Sequence, residues 1–64
     1  MYTINEPVIN QQTGQVGKVI GYGHEIINNV YTVTLKVLIT ESANANKIFV
    51  VEDIISAWNS WSIG

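Results

Sequence analysis

Hydrophobic and polar positions alternate most regularly over Val30-Tyr31-Thr32-Val33-Thr34-Leu35-Lys36-Val37-Leu38-Ile39. Tyr31, Val33, Leu35, Val37 and Ile39 fall on one side, and Thr32, Thr34 and Lys36 on the other. A period of two with β-branched residues predicts a strand that buries one face. Asn28-Asn29 before it and Thr40-Glu41-Ser42-Ala43-Asn44-Ala45-Asn46 after it are turn formers that bound the run. Lys47-Ile48-Phe49-Val50-Val51 is short, apolar and β-branched, which predicts a partner strand across a hairpin loop at 40–46.

Upstream, Val16 to Tyr22 also reads as a strand. A strict alternation groups Gly17, Val19, Gly21 and Gly23 on one face and Val16, Lys18, Ile20 and Tyr22 on the other. Glycine inside a strand marks a bulge, a sharp bend or a close backbone approach. Pro7-Val8-Ile9 predicts a first strand, because a strand start tolerates the donor that proline lacks. Asn10-Gln11-Gln12-Thr13-Gly14 is then a loop, with His24 to Asn29 as a second loop. Toward the C-terminus the period changes. Val51, Ile54, Ile55, Trp58 and Trp61 are spaced like one face of a short helix, with Glu52 and Asp53 suited to its positive end. The whole pattern predicts one all-β domain over residues 1–64. Its architecture is a strongly bent antiparallel barrel of about five short strands, followed by a short helical turn.

The motif Pro7-Val8-Ile9, a loop to Gly14, then Gly17-Lys18-Val19-Ile20 resembles the strand, loop and G-x-V opening of SH3-like small barrels. KOW-type modules and the small stromal subunits of photosystem I share that opening, and the turn around Val51-Glu52-Asp53-Ile54-Ile55 fits the same barrel. The resemblance implies the fold and identifies no ligand; the expected function is a non-enzymatic protein-interaction or accessory module within a larger assembly. It implies no cofactor. KOW modules that bind RNA are generally basic, and this chain departs from them in being acidic.

Charge narrows the choice of partner. The formal net charge is -2, and the basic side chains are Lys18, Lys36 and Lys47, with no arginine. Nucleic-acid binding rests on several phosphate-neutralising cations and on arginine reading guanine, so a nucleic-acid partner is disfavoured. The alternative, a barrel pairing its three lysines with stacking aromatic rings, is the rival expectation. An apolar fraction of 47% is more than a chain of this size can hide, so part of it is expected at an interface with another protein or with a second copy. Without cysteine there is neither a disulfide framework nor a thiolate metal site. The N-terminal residues have no leader pattern and no segment is apolar enough to span a membrane, so the expected setting is cytoplasmic.

The glycine-rich run Thr13 to Glu25 invites a phosphate site, but its spacing is wrong. Gly17-Lys18 is followed by Val19 where a P-loop needs serine or threonine, and Gly21-x-Gly23 meets Ile26 where a dinucleotide fold needs a third glycine. Gly14-Gln15-Val16-Gly17 matches the G-x-x-G of KH domains without the flanking helices. His24 has no companions at metal-ligand spacing, and Glu52-Asp53 are sequence neighbours that diverge rather than face a substrate. No catalytic, cofactor or metal residue is therefore expected. The candidate protein-binding residues are Tyr22, His24, Ile55, Trp58 and Trp61, together with the loops at His24–Asn29 and Thr40–Asn46. Tryptophan and tyrosine anchor interfaces because they combine large area with few rotors.

Overall fold

A computed structural model describes residues 2–41 and 48–62. Five strands form one antiparallel sheet: β1 (Pro7–Asn10), β2 (Val16–Ile27), β3 (Val30–Glu41), β4 (Phe49–Ile54) and β5 (Trp58–Ser60), in the order β4-β3-β2-β1-β5. A 3-10 turn, Ile55–Ala57, joins β4 to β5. These two strands are the opposite edges of the sheet. In a flat sheet they would stand about 19 Å apart, whereas a three-residue 3-10 turn advances only about 6 Å. The sheet must therefore curl until its edges approach each other, and the expectation of a strongly bent, all-β fold is met.

Two hydrogen bonds fasten the curl. The Asn10 amide donates to Asp53 Oδ2 at 3.1 Å, linking β1 to β4, and Gln11 N–H donates to the Ala57 carbonyl at 2.8 Å. Asn10 is buried. Its Oδ1 accepts from Gln12 N–H at 2.9 Å and Thr13 N–H at 3.2 Å, so a single side chain shapes the 11–15 loop and closes the sheet. Gly14 completes that loop at φ 75°, a conformation that disfavours residues with a Cβ.

The core lies inside the curl. It comprises Val8, Val19, Leu35, Val37, Ile39, Ala57 and Trp58, with Tyr2, Phe49, Val51, Ile54 and Ile55 packed against them. The alternation in β3 holds from Leu35 to Ile39, and the face bearing Leu35, Val37 and Ile39 is the inner face of the sheet.

β2 corrects the simple alternation. Val19 stands opposite Val37 and Gly21 opposite Lys36, so Ile20 is an extra residue, a β-bulge. Upstream of it Gly17 and Val19 face inward. Downstream the parity reverses: Tyr22, His24 and Ile26 join the inner face, while Gly21, Gly23, Glu25 and Ile27 turn outward. Gly17 has a separate purpose. A Cβ there would overlap the Leu38 carbonyl oxygen and come within 2.8 Å of Val37 Cγ1, so the close crossing of β2 over β3 requires its absence.

Three further expectations give way. The His24–Asn29 loop is strand as far as Ile27, then the two-residue turn Asn28-Asn29, whose φ values of 51° and 64° suit the type I′ turn that matches strand twist. The helix expected from Glu52 to Trp61 is only Ile55–Ala57, and Glu52 and Asp53 are strand residues of β4 rather than a helix start. Ladder pairing of β4 with β3, from Phe49 opposite Ile39 to Ile54 opposite Thr34, outcompetes the costly nucleation of a helical turn. Thr40 and Glu41 extend β3, and the rest of the expected 40–46 loop lies outside the described residues.

Candidate functional site

β1 pairs with β2 only at Val16, Gly17 and Lys18, and β4 pairs with β3 only from Thr34 to Ile39. Beyond Gly23 and Thr34 the β2–β3 hairpin therefore projects as a two-stranded arm, residues 24–33. The principal extents of 37 × 22 × 18 Å reflect this projection. Its apolar side chains have no cover among the described residues. Ile26 is 72% exposed and Tyr31 65%, and Ile27, Val30 and Val33 are exposed as well.

Register assigns each side chain to a face. On the inner face Tyr22 stands opposite Leu35, His24 opposite Val33, and Ile26 opposite Tyr31. On the outer face Glu25 stands opposite Thr32, Ile27 opposite Val30, and Gly23 opposite Thr34. The arm thus carries Glu25 outward and no formally charged side chain on its inner face, while at its root Lys36 points outward and Asp53, opposite Leu35, lies on the inner side. His24 stacks on Tyr31, with ring centroids 4.9 Å apart and planes inclined by 17°. This is a diagonal cross-strand contact within reach of aromatic side chains. The two rings, flanked by Ile26 and Val33, form an aromatic and aliphatic platform on the same face of the sheet as the core.

The sequence candidates divide. Tyr22 lies at the root of the platform, exposed, with its hydroxyl donating to the Tyr2 carbonyl. His24 belongs to the platform, in a strand rather than a loop. Trp58 is not a surface ring: it is 1% exposed, its Nε1–H donates to the Asp53 carbonyl at 3.4 Å, and its own carbonyl accepts the Tyr2 hydroxyl at 2.9 Å. Ile55 is half-buried against the core. Trp61 is half-buried and its backbone N–H donates to the Pro7 carbonyl at 2.9 Å. Ile26 lay within the candidate segment His24–Asn29, and the platform residues that sequence reasoning left out are Tyr31 and Val33. A signal for them existed in β3, whose apolar alternation runs four positions further toward its N-terminus than the core needs.

Lys18 and Lys36 stand on the outer face, opposite Leu38 and Gly21, while Tyr22 and Tyr31 are on the inner face. These two lysines thus stand on the face opposite to these two rings, and Lys47, the third cation of the rival expectation, lies outside the described residues. Among the described residues no group of three or more histidine, cysteine, aspartate or glutamate side chains could hold a metal ion. Among those residues, too, no helix is long and apolar enough to cross a membrane. The chain matches no family model, no curated protein and no solved structure.

Proposed function

We propose that the chain is a non-enzymatic protein-interaction module, an accessory part of a larger assembly, which docks through the inner face of the β2–β3 arm. The observation that carries this reading is the segregation of the arm. Its inner face carries rings and aliphatic side chains without a charge, its outer face carries Glu25 and Thr32 with Ile27 and Val30 at the tip, and no described residue covers the inner, apolar side. A two-stranded ribbon alone in water is marginally stable, so a cover for this face stabilises the arm itself. The strand order and the 3-10 turn between β4 and β5 support the SH3-like barrel as the frame on which the arm is carried. The cysteine-free sequence is in keeping with a cytoplasmic setting.

Full burial of Ile26 or Tyr31 at an interface contributes about 1.5–3 kcal/mol each. Ile26→Asp places a carboxylate in the middle of the platform while removing almost no buried contact from the monomer. The thermal midpoint should stay within a few degrees of wild type. Retention of the partner by immobilised protein should fall by at least about tenfold. Unchanged retention would place the contact surface elsewhere.

A further inference from the structure

We propose that the occupant of the platform is a second copy of this chain, with two arms packed inner face to inner face about a two-fold axis. The inference rests on the preceding reading of this face as a protein interface and names its partner.

The first support is charge. The chain carries a formal net charge of -2, which opposes self-association in general, but the inner face of the arm bears no formally charged side chain. Two such faces meet without like-charge contact, because Glu25 and Lys36 point away from the contact in both copies. A foreign partner is commonly selected and steered by charge complementarity, for which this face offers no charged group.

The second support is area. Tyr22, His24, Ile26, Tyr31 and Val33 together expose on the order of 500 Å². Pairing two copies of that patch buries at most about 1,000 Å², the size of a weak, reversible interface. An isologous contact uses the same patch twice, so the apolar side chains of one copy meet those of its mate. The His24–Tyr31 stack of one copy would lie on its mate as in two sheets packed face to face. Each small barrel, thin in core, would gain a shared apolar layer.

Sedimentation equilibrium of the purified chain from micromolar to millimolar concentration tests the proposal. A monomer–dimer equilibrium is expected, nearly insensitive to salt because no charge lies in the contact. Ile26→Asp and, independently, Tyr31→Ser should each weaken dimerisation, the former by about 100-fold. Glu25→Lys, on the outer face of the same arm, should leave it intact. A chain that is monomeric throughout overturns the second-copy assignment. If Ile26→Asp nonetheless abolishes retention of a different protein, the interface reading survives that outcome. If retention is also unchanged, both readings fall. A dimer untouched by both platform variants while circular dichroism shows them folded would overturn the assignment of the face.

Discussion

At the scale of single residues, the two tryptophans show how similar side chains acquire different duties. Trp58 follows the 3-10 turn at the point where the curled sheet closes, so its ring fills the core and its indole N–H reaches Asp53. Trp58→Ala should cost about 3–5 kcal/mol through lost burial and the cavity left behind. A domain of 64 residues is typically stable by about 3–10 kcal/mol. Urea denaturation followed by far-ultraviolet circular dichroism should therefore show a loss of at least about 3 kcal/mol, a third or more of the total, and a shift below about 1 kcal/mol would contradict the core placement. Spacing alone did not reveal this burial, because the two tryptophans stand three apart and share a helical face in a helix that does not form. What separates them is the β1–β5 ladder, in which Asn10 pairs with Trp58.

Among elements, β2 holds most of what distinguishes the structure from its pattern. β1 and β4 are short ladders that lie close to where alternation and turn residues put them, and β3, though twelve residues long and irregular where it passes Val16 and Gly17, keeps its alternation from Tyr31 to Ile39. β2 keeps a strand pattern only by changing face once, and glycine at 21 and 23 leaves no side chain by which the sequence could mark the change. Gly17 is a firmer guide. Gly17→Ala would drive a methyl group into the Leu38 carbonyl, and only separation of two backbones can relieve the clash. A loss of about 1–3 kcal/mol is expected. Hydrogen exchange should rise at Gly17, Lys18 and their β3 partners Leu38 and Ile39, while the distant Asn28-Asn29 turn stays unchanged. Uniform exchange along β2 would argue that the crossing is looser than described.

For the whole molecule, two opposed tendencies meet: a body drawn tight by its edges, and an arm held away from it. The Cα radius of gyration, 11.7 Å, exceeds the value of about 10.7 Å expected for a compact chain of this length. The body is tied at its ends by Glu6, whose carboxylate accepts from Thr3 N–H at 3.0 Å and Ser60 Oγ at 3.0 Å. The Thr3 backbone bond first, then the Ser60 hydroxyl, lowers its pKa from the usual 4.5. A lowered folded-state pKa contributes stability above the unfolded value and loses it as pH falls through the folded value. Amide resonances of Thr3 and Ser60 should therefore shift together below about pH 4.5, and Glu6→Gln should remove that step. Independent movement of the two resonances would break the proposed tie. The curled body was legible in the sequence because turn residues and short apolar runs encode it locally. The arm was not, because its exposure depends on where β1 and β4 stop pairing, a property of neighbours rather than of its own residues.

The bulge at Ile20 also sets where this protein can tolerate a change of length. Removal of Ile20 itself leaves every pair from Gly21 to Ile27 in place. Loss of one residue farther along the arm can be absorbed at the bulge, but it turns over each side chain between the two sites. Losing Gly23 in this way would send Tyr22 to the outside and bring Gly21 in. In evolution, therefore, insertions and deletions on the arm side of β2 should gather at this bulge, and a change of length farther along the arm would exchange the apolar platform for a surface of glycine and glutamate.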